Sequence, residues 1–258
     1  MAREMPRTAW VTGASQGIGR AVARALAADG WTVAVSARTR ANLEALVRDC
    51  AGDPGTVHPF PLDITDAAAA AATVAGIEDE LGPIALAILN AGTHEPVDGR
   101  DLSIEPFRRL MEVNYMGAVH CLVPVVTRCV GRGAGRIAVV ASLAGYRGLP
   151  TASAYGASKA AIINMCEALR PELARTGVTL SVITPGFVKT PLTDKNPYPM
   201  PFLIDAETAA RRIVRGVSSD RFEITFPRRF AYLMKVLRIV PYRLFFAITR
   251  RRMPADDG

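Results

Sequence analysis

The chain has 258 residues, of which half are apolar, and its 31 basic and 24 acidic residues give a net charge of +7. That length suits one large α/β domain and is short for two, and the apolar content with modest charge argues for a soluble globular protein. Four cysteines without a C-x-x-C pair and three scattered histidines (His58, His94, His120) offer neither a redox motif nor metal-ligand spacing, so buried thiols and no metal site are expected. The first seven residues are polar, and the first apolar stretch runs straight into a glycine turn; no secretory leader is expected, and a cytoplasmic protein is. The basic excess is local. Residues 228–252 hold eight basic side chains and no acidic one, and the rest of the chain is close to neutral.

Residues 8–12 read as a buried strand, followed by Gly13-Ala14-Ser15-Gln16-Gly17-Ile18-Gly19 and a helical pattern over 20–29. Glycines at 13, 17 and 19 permit a tight turn and let backbone amides approach a pyrophosphate at the helix N-terminus. A second strand, 31–36, ends in Ala37-Arg38-Thr39-Arg40. An acidic residue there would take the two hydroxyls of an adenosine ribose. None is present, and the Arg38 guanidinium suits a 2′-phosphate instead, which favours NADP(H), with NAD(H) as the alternative. The competing reading is that Arg38 and Arg40 only cap a solvated loop.

A helix over 42–50 and a third strand over 56–62 lead to Asp63, placed to accept from an adenine amino group or to N-cap the alanine-rich helix 67–81, a task Asp66 also suits. The nearly all-apolar strand 84–89 then runs into Asn90-Ala91-Gly92, as a parallel sheet covered on both faces requires. Strands alternating with helices predict a doubly wound, three-layered parallel sheet of the Rossmann type in a single domain.

The strand 136–141 delivers Ser142 to its C-terminal end, where open α/β sheets bind ligands. If the chain is helical from residue 154, Tyr155 and Lys159 lie one turn apart on one face. A phenol with an ordinary pKa of about 10 is a poor acid or base at neutral pH, and an ammonium beside it lowers that value. Ser142 would then hold a substrate oxygen in front of Tyr155. A strand over 179–184 leads into Pro185-Gly186-Phe187-Val188-Lys189-Thr190, and 191–203 is a loop rich in proline with Tyr198, Met200 and Phe202.

The ordered set Thr12–Gly19, Asp63, Asn90-Ala91-Gly92, Asn114, Ser142, Tyr155 with Lys159, and Pro185-Gly186 resembles the single-domain branch of the short-chain dehydrogenase/reductase family. The resemblance implies hydride transfer between a nicotinamide cofactor and a carbonyl or alcohol. It implies proton transfer by Tyr155, a stabilising hydroxyl from Ser142, and a Lys159 that tunes Tyr155 and holds the nicotinamide ribose. It gives Asn114 a helix kink that holds a water linking Lys159 to solvent, though Asn114 could instead begin the next helix. It places Gly13, Ser15, Gln16, Gly17, Ile18, Gly19, Arg38, Asp63, Asn90, Ala91, Gly92, Pro185, Gly186, Val188 and Thr190 around the cofactor. Asn90 braces the central strand, and Thr190 otherwise caps a helix. Leu89 stands where a second asparagine often precedes Asn90.

After a helix over 205–217 with Asp205 as its N-cap and a last strand over 222–226, the tail departs from the compact relatives. Segments 230–240 and 242–252, divided by Pro241, each gather apolar residues on one side with basic ones opposite. This divides the chain into a catalytic domain, 1–226, a helical tail, 227–252, and a disordered end, 253–258. The tail fits an anionic membrane interface, or a cover for the substrate pocket or a partner subunit; nucleic acid is the least suited partner. Relatives pair through helices corresponding to 114–130 and 154–175, so a homodimer or homotetramer is implied. The leading reading is an NADPH-preferring reductase of an apolar ketone or aldehyde. The rivals are a dinucleotide-binding interaction protein without turnover, and an epimerase or dehydratase of nucleotide sugars, for which little chain remains beyond the sheet.

Overall fold

The computed structural model describes residues 7–194 and 200–250. The expectations for Tyr198 and the prolines on either side of it, for the last two arginines of the tail and for 253–258 lie outside the described residues. Seven strands form one parallel sheet in the order β3-β2-β1-β4-β5-β6-β7. They are β1 (Thr8–Thr12), β2 (Thr32–Ser36), β3 (Thr56–Pro59), β4 (Ile84–Leu89), β5 (Gly135–Val140), β6 (Val178–Pro185) and β7 (Glu223–Phe226). Every residue of β1 and β4 is buried, as expected for central strands covered on both faces. The order reverses between β1 and β4, so the crevice at their C-terminal ends is the topological switch point.

One face carries α1 (Gly17–Ala28), α2 (Arg40–Asp49) and α7 (Ala206–Val217), which pack Val22, Leu26, Leu43, Leu46, Ala209 and Ile213 into one core. The other face carries α3 (Ala67–Leu81), α5 (Gly117–Arg132) and α6 (Ser153–Ala174), with Val74, Ile77, Cys121, Val125, Ile162 and Cys166 in a second core. The three layers follow from these two cores on one sheet. All four cysteines are buried free thiols, and burial pushes Cys121 and Cys166 up to about 12.

Several boundaries differ from the sequence expectation for local reasons. β3 stops at Pro59, well short of residue 62, because Pro59 and Pro61 lack amide donors, although Phe60 N and Leu62 N still donate to Val35 O and Ala37 O. The cap of α3 is Asp66, whose carboxylate accepts from Ala69 N at 2.9 Å; Asp63 is not the cap. Asn114 does not open a helix. It lies inside a π-helical turn, Met111–Met116, between α4 (Glu105–Leu110) and α5.

The tail forms α8 (Arg228–Ile239) and α9 (Tyr242–Arg250). Phe230, Ala231 and Met234 of α8 join the core beneath α5 and α6. Tyr232, Val236 and Ile239, on the opposite side, are exposed. The single apolar side expected of 230–240 is therefore two apolar sides, because only one of them meets the sheet edge.

Candidate active site

The glycine turn after β1 is shaped for close backbone approach. Gly13 has φ +67°, and a Cβ there would lie 2.7 Å from Ala91 Cα. A Cβ on Gly19 would lie 2.4 Å from Gly13 O and 2.5 Å from Asn90 Nδ2, so α1 and the end of β4 touch through glycine alone. Asn90 braces the turn from the neighbouring strand: its Nδ2 donates to Thr12 O and Gly13 O, and Thr12 Oγ1 accepts from Asn90 N and Ala91 N. Gln16 occupies the N-cap of α1 without a side-chain cap, which leaves the amides of the first turn, around Gly17 and Ile18, for an anion. The donor set fits a dinucleotide pyrophosphate. A cleft of about 420 Å³ opens beside this turn between Gly17, Arg20, Lys189 and Thr190. A separate cavity of about 300 Å³ lies at the opposite ends of the strands, among Arg7, Trp31 and Val214, away from all of these groups.

Arg38 is exposed just beyond β2, beside Asp63. The amide and hydroxyl of Thr65, both donating to Asp63 Oδ1, hold that carboxyl below its usual range against the opposing effect of burial, and the nearby Arg38 charge adds a smaller lowering.

The catalytic candidates gather at the ends of β4 and β5. Lys159 is buried, and its Nζ donates to Val140 O at 2.9 Å and lies 5.8 Å from the Tyr155 ring centroid. Burial pushes its pKa down from 10.5 to about 8. Asn114, fully buried, accepts from Thr93 N at 2.7 Å and donates to Thr93 O and Ser158 Oγ, each at 3.0 Å. Its side-chain amide thus extends the chain beyond β4 as a strand partner would. Gly92 joins the two residues: a Cβ there would lie 3.0 Å from Asn114 Oδ1 and 3.4 Å from Lys159 Nζ.

Ser142 caps the short 3₁₀ turn Leu143–Gly145, its Oγ accepting from Ala144 N at 3.2 Å. That turn is pressed onto α6, since a Cβ on Gly145 would meet the Lys159 backbone at 2.8 Å and one on Gly156 would meet Ala144 O at 3.0 Å. The Ser142 turn and the Tyr155–Lys159 turn of the helix are therefore held together by two glycine contacts.

Beyond β6, a Cβ on Gly186 would contact Leu143, Pro227 and Phe230, which ties the Pro185-Gly186 corner to the Ser142 turn and to α8. Val188 is buried and bridges to Ile204. Thr190 is not a helix cap; its amide donates to Thr193 Oγ1, and Asp205 caps α7. A Cβ on Gly17 would lie 3.1 Å from Thr190 Cγ2, which places Thr190 against the glycine turn. Phe187 stacks on Phe230 at 5.5 Å, and Phe202, with φ 61°, leans on the same ring at 6.1 Å. Ser15 lies on the turn.

The sequence puts His94, Glu95, Tyr146, Arg147 and Leu149 on loops at this edge as candidates to shape the pocket, but the contacts that three of them make are not legible in it. His94 packs edge-on against the Tyr155 ring at 4.7 Å, where the sequence indicated only a loop at the same edge of the sheet. Tyr146 donates to Glu223, which also pairs with Lys235, and burial with that carboxylate pushes the Tyr146 phenol above its ordinary range. Arg147 donates to Arg238 O and Val240 O and lies over the rings of Tyr242 and Phe245. Tyr146 binds the segment after Ser142 to β7, 77 positions later, and Arg147 binds it to the tail, 91 positions later, pairings that no local spacing announces.

The family description short chain dehydrogenase matches residues 7–199. An uncharacterized oxidoreductase of Myxococcus xanthus is 38% identical over 251 residues, covering 97% of this chain and 99% of that one. The 3-oxoacyl-(acyl-carrier-protein) reductase FabG of Thermotoga maritima is 32% identical, with 80% and 82% covered. Among solved structures, an alcohol dehydrogenase from the archaeon Thermococcus sibiricus, complexed with 5-hydroxy-NADP, superposes with a TM-score of 0.77 at 25% identity, over 85% of this chain and 95% of that one. With its sheet order, its glycine turn and these relatives in agreement, the chain belongs to the short-chain dehydrogenase/reductase family, whose members bind NAD(P)(H), and is an oxidoreductase acting on a CH–OH/C=O couple.

Proposed function

We propose that the protein is an NADPH-preferring reductase of an apolar, lipid-like ketone or aldehyde, also able to oxidise the alcohol, with Tyr155 as its acid/base. The observation that carries this reading is the buried Lys159 ammonium, fixed on Val140 O one helical turn from Tyr155. Its charge stabilises negative charge on the phenol oxygen, so that Tyr155 can give a proton to the carbonyl oxygen and recover it afterwards. Ser142 already accepts an amide hydrogen at Oγ, so its own O–H is available to donate to the same substrate oxygen and stabilise the charge developing there. Asn114 holds the π-helical turn next to Lys159 and assists the return of the proton from solvent.

When bound, the dinucleotide supplies the hydride. The amides of Gly13, Ser15, Gln16, Gly17, Ile18 and Gly19 would hold its pyrophosphate, Asp63 its adenine, and Asn90, Ala91 and Gly92 its central part. Lys159 and Tyr155 would hold the nicotinamide ribose, and Pro185, Gly186, Val188 and Thr190 its carboxamide. NADPH preference is supported by Arg38, which stands without an acidic neighbour from 37 to 40, and by the NADP analogue bound in the Thermococcus relative.

An apolar substrate is supported by the aromatic cluster Phe187, Phe202 and Phe230 beside the Ser142 turn, and by the acyl substrate in the name of the Thermotoga relative. A cytoplasmic homodimer through α5 and α6 completes the reading, supported by exposed Val123 and Val130 on α5. The test is a panel of carbonyl compounds, long-chain ketones included, offered with NADPH and NADH side by side. NADPH oxidation with apolar ketones is expected. Absence of turnover with every carbonyl would leave a dinucleotide-binding protein without catalysis.

A further inference from the structure

The outer side of the tail is a surface that the reductase reading does not use. On α8, Tyr232, Val236 and Ile239 recur at spacings of four and three, which aligns them along one side of the helix, and they are 68%, 55% and 81% exposed. They stand opposite the buried Phe230, Ala231 and Met234, so packing on the sheet accounts for the inner face only. The exposure continues into α9, where Tyr242 and Phe246 stack on each other at 5.7 Å and Leu244 is 55% exposed. Isolated exposed hydrophobes are ordinary, but a run of them over two successive helices marks an interaction surface.

The charges that this segment itself carries have one sign. Every charged residue from 228 to 250 is basic, and Arg228, Arg229, Arg243 and Arg250 are exposed. The hairpin is also fixed to the body, by Arg147 on the carbonyls of Arg238 and Val240 and by the Glu223–Lys235 pair, so the surface is presented in one orientation.

We propose that this outer face docks on an anionic lipid bilayer, with Tyr232, Val236, Ile239 and their α9 neighbours entering the interface and the arginines meeting the headgroups. A second copy of the chain is a poorer occupant, because it would set one all-basic hairpin against another. The docking goes beyond the reductase reading and does not depend on it.

The test is sedimentation of the purified full chain with phosphatidylcholine vesicles made with or without phosphatidylglycerol. Partition onto the anionic vesicles is expected, falling steeply with salt, with little onto the neutral ones. Ile239→Glu should weaken partition about tenfold, and Arg228→Ala with Arg229→Ala by more than about tenfold at roughly fivefold per charge. All three positions are exposed, so the far-UV circular dichroism and melting of both variants should match the parent. Three results overturn the proposal: no partition onto anionic vesicles, equal partition onto neutral ones, or variants that partition like the parent. So does a soluble dimer that Ile239→Glu dissociates in the absence of vesicle binding, which gives the face to a second copy.

Discussion

The interior around Lys159 and the outer face of the tail invert the usual distribution of side chains in opposite senses. At the sheet edge, a lysine, an asparagine and a serine (Lys159, Asn114, Ser158) are buried; on the tail, Ile239 and Val236 face solvent. Asn114 makes three hydrogen bonds, to Thr93 and Ser158, and Lys159 donates to Val140 O, so the cost of their desolvation is offset in part within the fold, the uncompensated part showing in the lowered Lys159 pKa. The exposed apolar groups meet no such compensation among the described residues, and the proposed docking would supply one. The first anomaly is the basis of the proposed chemistry and the second of the proposed docking.

The site half of this contrast is broken most severely by Tyr155→Phe. Turnover should fall about a thousandfold or more while cofactor binding, followed by fluorescence titration, persists. If the variant keeps its rate, another group is the acid and the buried lysine loses its purpose. Arg38→Asp should lower the NADPH-to-NADH ratio of kcat/KM by roughly 10- to 100-fold, as expected for loss of a charge-assisted contact; an unchanged ratio removes Arg38 as the selector.

The pH profile sharpens the same half. Burial favours neutral Lys159, so its stabilising charge is present below about pH 8 and lost as pH rises through that value. Reduction should therefore slow by about tenfold per unit above it. A rate that stays level to high pH would show that the ammonium is not needed.

The smallest effect tests whether the two regions act separately. Arg147→Ala removes two hydrogen bonds and two cation–ring contacts that fasten the tail. A loss of about 1–2 kcal/mol is expected, read as a lowering of Tm by roughly 2–6 °C together with faster proteolysis between α8 and α9. Turnover that survives this change would separate the tail from the site, and turnover that falls with it would join them through the segment after Ser142.

The residues themselves determined the alternation of strands and helices, the glycine turn, and the Tyr155–Lys159 spacing, because each depends on neighbours within one or two turns of chain. Apolar runs such as Ile84–Leu89 announce a covered parallel strand, and glycines at 13, 17 and 19 announce close backbone approach wherever they are placed. Only the tertiary structure decided which carbonyl holds Lys159, what the Asn114 amide bonds to, that His94 packs on Tyr155, and that the outer side of α8 is left uncovered. Those outcomes depend on contacts between segments far apart in the chain. A helical repeat can say that a side chain lies on a face, but packing alone selects which face meets the core, and in α8 two apolar faces competed for a single sheet edge.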